Sequence, residues 1–123
     1  MRTPKVWAVK ENVMRSMTGS VPMDYSPALQ FGELEFITQA DLPFHQRSTV
    51  WKDWAADVRR FVDEYDPLHD FLICTGQPMA IMMVGFALGS AGKPPRFLVW
   101  RREEGRYLPV AFDVAPITTL NFA

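Results

Sequence analysis

The chain has 123 residues, 13 basic and 14 acidic side chains and a formal net charge of −1, which indicates one domain of ordinary charge. Hydrophobic residues make up 48% of the chain and charged residues 22%, so the composition excludes disorder throughout, a strongly basic nucleic-acid binder and a strongly acidic DNA mimic. The single cysteine, Cys74, excludes an internal disulfide and a multi-cysteine zinc site and fits the reducing cytoplasm.

The first part of the chain predicts two strands with a turn and a short helix between them. Lys5–Val9 is rich in β-formers and predicts the first strand, and Ser16–Ser20 predicts a turn or loop. Ser26 before a proline predicts the N-cap of a short helix, which Gly32 ends in left-handed geometry. Glu33–Thr38 predicts the second strand.

The clearest predicted element is a long helix at about Thr49–Tyr65, capped by Ser48 or Thr49. The charged residues of this segment fall mostly on one helical face, and a proline after Asp66 ends the helix. The apolar residues repeat at the spacing of the other face: Trp51, Trp54, Ala55, Val58, Phe61, Val62 and Tyr65.

A buried strand and a second long helix follow. Asp70–Thr75 is a short apolar run, as expected for a strand covered on both faces. Gln77–Ala91 is apolar on nearly every side, so we expect protein to cover this helix on most sides, with Gly85 and Gly89 allowing another element close approach. The apolar part of this helix is about 14 residues long, short of the roughly 20 that span a bilayer, and the N-terminal stretch lacks the apolar core of a signal peptide.

The last part of the chain predicts a β-hairpin. Arg96–Arg102 and Tyr107–Phe112 predict its strands and Glu103–Arg106 its turn. Pro109 removes a hydrogen-bond donor and favours an edge position for the last strand. Helices that alternate with strands predict one compact α/β domain over residues 1–123, with a mixed β-sheet, two main helices, the C-terminal hairpin and an extended tail at 115–123.

The best candidate ligand site is the corner formed by Thr75, Gly76 and Gln77. Free backbone N–H groups and the positive end of a helix dipole converge there, and open α/β sheets bind ligands at the carboxyl ends of their strands. A nucleotide-like ligand fits this chemistry, although the corner has neither a Walker nor a dinucleotide glycine spacing. In the alternative interpretation, Thr75 only caps the helix and Gly76 only turns the chain.

Other chemically active residues are few and separated. His69 and Asp70 could form an acid–base pair, but neighbours in a strand point to opposite faces, and we interpret both as surface loop residues. Cys74 is interpreted as a buried free cysteine. A mechanism that used its thiolate would need His45 or His69 as the base. No histidine spacing predicts a metal site, and no group of residues predicts a catalytic site or a cofactor.

The predicted hairpin is the second candidate site. Its residues combine aromatic rings with positive charge, which suits an acidic protein partner or a nucleic acid; the near-neutral total charge disfavours nucleic acid. A hairpin with solvated charges is the alternative. The residues that would make this contact are Trp100, Arg101, Arg102, Arg106 and Tyr107.

Three segments, DYSPALQFGELEFI (Asp24–Ile37), DFLICTGQPMAI (Asp70–Ile81) and FLVWRREEGRYLPVAFD (Phe97–Asp113), form a pattern that resembles small proteins of tailed bacteriophages. Those proteins share a Tyr-x-x-Ala-x-x-(Phe/Tyr)-Gly-Glu segment, a strand followed by Gly-Asp-Pro, and a Trp-Asp-Arg hairpin ending in Tyr-x-Pro-Val. This chain has Gln77 and Arg101 at the two aspartate positions. The resemblance implies a phage origin and carries no activity to this chain.

The sequence therefore favours a non-catalytic phage accessory protein over an enzyme. We expect it to bind a host or phage macromolecule in the cytoplasm of the infected cell, for instance as an inhibitor of a host enzyme or defence system. The alternatives are a binder of a nucleotide-like signal at Thr75–Gln77, a small hydrolase and a nucleic-acid accessory protein. We expect a protein partner, no membrane, and self-association through an edge strand or an aromatic surface.

Overall fold

The structure is a computed structural model that describes residues 2–10, 13–16, 19–22, 24–44 and 49–119, with the backbone alone described for 13–16 and 19–22. The strands in these ranges are β1 Lys5–Lys10, β2 Val13–Ser16, β3 Gly19–Pro22, β4 Glu33–Thr38, β5 Phe71–Ile73, β6 Arg96–Arg101 and β7 Arg106–Ala111. The helices are α1 Thr49–Glu64 and α2 Pro78–Ser90, with two short 3-10 helices, η1 Ser26–Phe31 and η2 Ala115–Ile117.

One five-stranded sheet organises the molecule, in the order β4-β1-β5-β6-β7. The first four strands are parallel and β7 runs antiparallel to β6, which confirms the mixed sheet, the two helices and the C-terminal hairpin. As Pro109 predicted, β7 is an edge strand. The bounds of α1 agree with the predicted helix to within one residue. Residues 45–48 lie outside the described residues; they include the predicted cap of α1, Ser48, and the candidate base His45.

The sheet separates two apolar layers. On the first face, α1 and α2 pack against the strands, and the apolar stripe predicted for α1 enters the core through Trp54, Val58, Phe61 and Val62. On the second face, η1 covers the sheet, and that core contains Val6, Ala8, Tyr25, Ala28, Ile73 and Tyr107. The second layer is thinner because η1 is a single short helix, so the far end of the β6–β7 hairpin extends past it.

Two local predictions in the first part of the chain are wrong. Ser16–Ser20 is not only a turn, because Val13–Ser16 and Gly19–Pro22 pair as a two-stranded antiparallel hairpin. These strands have four residues each, too few to produce a clear alternating pattern. Gly32 follows the predicted helix, but its backbone has φ 153° and ψ −179° rather than left-handed helical angles.

Asp70 is fully buried, which corrects its interpretation as a surface loop residue. Its Oδ1 accepts a hydrogen bond from the Lys5 backbone N–H at 2.9 Å. Its Oδ2 accepts from the Trp7 indole N–H at 3.1 Å and from the Asp66 backbone N–H at 3.0 Å, and the Arg2 guanidinium forms an ion pair with the same oxygen. Burial raises the pKa of Asp70, but these donors together lower it below its usual value.

The surface of α2 also differs from the prediction. The sequence predicts that protein covers most sides of this helix, yet the described residues leave Met82 73% and Phe86 71% exposed. An added Cβ at Gly85 or at Gly89 would meet no atom within 4 Å, so no described element approaches these glycines. The reason is the architecture: α2 lies in an outer layer, with the sheet on one side and α1 on another. Its buried residues are Ala80, Val84 and Leu88.

Candidate functional site

The β6–β7 hairpin extends beyond the rest of the sheet. Strands β5 and β6 are paired only at Leu72 and Phe97, whereas the β6–β7 ladder continues to Arg101 and Arg106. After Ile73 the chain turns away into α2, so a gap opens between the departing chain and the hairpin. This hairpin cleft has a volume of about 430 Å³ and is lined by Ile73, Cys74, Thr75, Gly76, Phe97, Leu98, Val99, Trp100 and Tyr107.

A pair of aromatic rings forms one wall of the hairpin cleft. Trp100 and Tyr107 face each other across the hairpin, with ring centroids 5.0 Å apart and an interplanar angle of 63°. Trp100 is 41% exposed, while Tyr107 is buried, and burial first, then the nearby Tyr25 and Asp24, raise the pKa of Tyr107. The exposed indole therefore packs edge-on against the buried ring, an arrangement that aromatic pairs favour.

The end of the hairpin carries positive charge next to this wall. The Arg106 Nε donates to Glu104 Oε2 at 2.6 Å, so part of this charge is neutralised within the turn. Arg101 and Arg102 are exposed, and in the described part of the chain no ion pair engages either of them. The five residues that the sequence proposed as a partner contact all lie at this end of the hairpin, but they divide between its two faces. Trp100 and Tyr107 share one face, and their strand neighbours Arg101 and Arg106 alternate to the other. Arg102, in the turn, is available to an acidic group.

Thr75 and Gly76 of the Thr75–Gln77 corner also line the cleft, whereas Gln77 does not, and the polar side chains of the corner make internal hydrogen bonds. The Thr75 hydroxyl donates to the Lys10 carbonyl at 2.8 Å, and the Gln77 side-chain oxygen accepts from the Leu42 backbone N–H at 2.7 Å. Gly76 has φ 100°, which favours glycine. These contacts join the start of α2 to β1 and to the chain after β4. They differ from the alternative interpretation in one respect, because Thr75 does not cap the helix: Gln77 is the N-cap residue, and no side chain caps it.

The remaining reactive residues do not converge. His69 is exposed, in agreement with its predicted surface position, and its Nδ1 lies 2.8 Å from Asp66 Oδ2. Cys74 is exposed rather than buried, which corrects the prediction, and no hydrogen bond among the described residues joins it to a base. Within the same residues, no group of three His, Cys, Asp or Glu side chains is placed to hold a metal ion.

Cys74 is expected to react slowly with alkylating reagents at neutral pH. Although the residue is exposed, the protein around it partly desolvates the thiol and raises its pKa. At neutral pH a smaller fraction of Cys74 is therefore nucleophilic thiolate than for an ordinary cysteine, whose pKa is about 8.5. Iodoacetamide labelling, followed by mass spectrometry at neutral and alkaline pH, measures this rate against free glutathione. A rate at neutral pH above that of glutathione would contradict the expectation and indicate an activated thiol.

The fold and the hairpin cleft define a small α/β protein built on one five-stranded mixed sheet, whose distinguishing surface is the projecting, aromatic and basic β6–β7 hairpin. A family model described as "Phage Pam3 gp32-like protein" matches residues 4–114, and the chain belongs to this family. This finding confirms the phage origin that the sequence resemblance implied. No curated protein and no solved structure matches the chain. Across the described residues, no helix is long and apolar enough to cross a membrane.

Proposed function

We propose that this protein is a non-catalytic phage accessory protein that binds another protein through the end of its β6–β7 hairpin, in the cytoplasm of the infected cell. The observation that carries the proposal is the projecting hairpin itself. It presents the partly exposed Trp100 against Tyr107 on one face, with Arg102 exposed in the adjoining turn and Arg101 exposed on the other face. Tryptophan, tyrosine and arginine are the residue types that contribute most to protein interfaces.

The chemistry of the hairpin specifies the kind of partner. The indole of Trp100 and the cleft beside it can bind an apolar side chain. The guanidinium groups of Arg101 and Arg102 can donate hydrogen bonds to carboxylates. The partner surface is therefore an acidic patch around an apolar residue, as on a host enzyme or defence protein that this phage protein would inhibit. A nucleic acid is the weaker candidate, because the net charge of the chain is −1 and Glu103 and Glu104 lie in the same turn.

The test is capture of a partner from infected host cells by the full chain, followed by native mass spectrometry of the purified complex. We expect a stoichiometric protein partner whose affinity falls at least tenfold with Trp100→Ala and with Arg102→Glu. Lys52→Glu, on the exposed face of α1, is the matched control, because it makes the same charge reversal away from the hairpin. A partner retained equally by Arg102→Glu and by Lys52→Glu would refute the hairpin as the binding site.

A nucleotide-like ligand at the Thr75–Gln77 corner is the second candidate function, because Thr75 and Gly76 line the hairpin cleft. This second function predicts that a ligand with the mass of a nucleotide co-purifies with the protein in the same native mass spectrum. It also predicts that the unfolding temperature rises when a nucleoside phosphate is added. Under our proposal neither occurs, and Gln77→Ala, outside the lining of the cleft, leaves partner binding intact. A ligand-dependent rise in unfolding temperature that Thr75→Ala abolishes would favour the second candidate over ours.

A further inference from the structure

The outward surface of α2 is apolar along its whole length. Met79, Met82, Met83 and Phe86 recur at the spacing of one helical face, and all four are exposed. No residue of the helix, PMAIMMVGFALGS, carries a charge. The contrast with α1 is direct, because the outward face of α1 carries charged residues, as a helix facing water normally does. The outward face of α2 has the composition of an interface.

A groove between the two helices continues this surface. It has a volume of about 520 Å³, with Trp51, Trp54, Val58 and Ala87 among the apolar residues that line it. Phe86 lies at its edge and also projects outward. The same face of one molecule therefore offers both a projecting aromatic ring and an apolar groove. A surface that carries both halves of a contact is self-complementary, which is what a two-fold symmetric dimer requires.

The charges around this face favour a second copy of this chain over a charged partner. The groove is bordered by Arg59 and Asp63. These residues form an ion pair along α1, with the Arg59 Nε 3.7 Å from the Asp63 Oδ1. Because this border is balanced, two copies meet without repulsion, and antiparallel packing can bring Arg59 of one copy towards Asp63 of the other. A lipid surface is disfavoured because helices that bind anionic membranes carry lysine and arginine beside their apolar face, and α2 has neither.

The size of the face suits a weak dimer that forms in a concentration-dependent way. Helix α2 has 13 residues and is therefore about 20 Å long, and two adjacent helices are about 20 Å wide. A flat face of these dimensions covers about 400 Å² per partner, roughly half of the 800 Å² that standard interfaces bury.

We infer that two copies of this chain form a symmetric dimer in which the outward faces of α2 pack against each other and Phe86 of each copy enters the α1–α2 groove of the other. This dimer is independent of the proposed function, because the hairpin lies at a different part of the molecule. Two hairpins on one dimer would give the binding protein two contact points, which increases the apparent affinity for any partner that displays two sites.

Sedimentation equilibrium of the full chain over a range of concentrations tests this inference. We expect a dimer of twice the 14.1 kDa chain mass and a dissociation constant raised at least tenfold by Phe86→Asp and by Met82→Lys. Leu68→Lys is the control, because Leu68 is 78% exposed but lies outside this face. Circular dichroism establishes that each variant is folded.

Three outcomes would overturn the inference. The first is a wild-type chain that stays monomeric at every concentration measured. The second is a dimer that folded Phe86→Asp and Met82→Lys weaken no more than Leu68→Lys does, which would place the interface elsewhere. The third is a monomer that sediments with phosphatidylcholine or phosphatidylglycerol vesicles, which would make lipid the occupant of the α2 face.

Discussion

Replacing Asp70 with alanine is expected to destabilise the protein by about 3–5 kcal/mol. The substitution leaves the backbone N–H of Lys5, the indole N–H of Trp7 and the backbone N–H of Asp66 without the acceptor they share, and it removes the partner of Arg2. Buried donors without acceptors cost far more than an exposed hydrogen bond contributes. Urea denaturation followed by tryptophan fluorescence measures the loss.

The same carboxylate makes the stability depend on pH. Because the folded state lowers the pKa of Asp70 below its usual value of 3.8, the ionised group stabilises the fold above that pH. This contribution is lost as pH falls through the folded-state pKa. We expect the free energy of unfolding to fall on acidification in the wild-type chain and to fall less in Asp70→Asn. Asp66→Asn is the control. The pKa of the Asp66 carboxyl is also lowered, by His69 first and then by the Leu68 N–H, but this carboxyl is partly exposed.

Equal slopes of the free energy of unfolding against pH in the wild-type chain and in Asp70→Asn would contradict the assignment to Asp70.

Replacing Gly32 with alanine is expected to cost about 3 kcal/mol. Its backbone, at φ 153° and ψ −179°, occupies a region open essentially to glycine alone. An added Cβ would lie 2.5 Å from the Pro4 carbonyl oxygen. That oxygen accepts the Glu33 backbone N–H at 3.0 Å where β4 begins beside β1, so relieving the clash disturbs the pairing of these strands. The midpoint of urea denaturation reports the change.

Gly105→Ala provides the matched control for this substitution. Gly105 also has a positive φ, 61°, but an added Cβ there would meet nothing within 4 Å. We expect a cost of about 1 kcal/mol, which is the backbone preference alone. If the two alanine variants lost equal stability, the close approach to Pro4 would have no energetic role.

Local patterns were enough to predict the strongest elements. The α1 stripe repeats over four turns, and the predicted bounds of β4, Glu33–Thr38, agree with the structure. The candidate hairpin residues could also be proposed from sequence, because Trp100 and Tyr107 fall at paired positions on two strands joined by a short turn. These predictions depend on residues close together in the chain, where spacing alone determines which side chains share a face.

Features made by distant segments could not be predicted in this way. The burial of Asp70 depends on donors from Arg2, Lys5 and Trp7, which lie far away in the chain. The hairpin cleft exists because β5 is shorter than its neighbour β6. The lengths of strands and their order in a sheet cannot be read from the local spacing of apolar residues. The exposure of α2 was missed for a related reason: an apolar helix looks the same in sequence whether its own chain or another molecule covers it.

The interior position of β1 in the sheet has a consequence for folding during synthesis. This strand precedes both of its neighbours in the chain, and Val6, Trp7, Ala8 and Val9 are all buried in the finished fold. Its neighbours are β4 and β5, so the second of its two pairings forms only after Phe71–Ile73 has been translated. Until then the nascent chain carries an apolar strand with at least one unpaired edge. Trigger-factor-like chaperones that shield such segments are therefore expected to raise the yield of folded protein, more so than for a protein whose first strand forms a local hairpin.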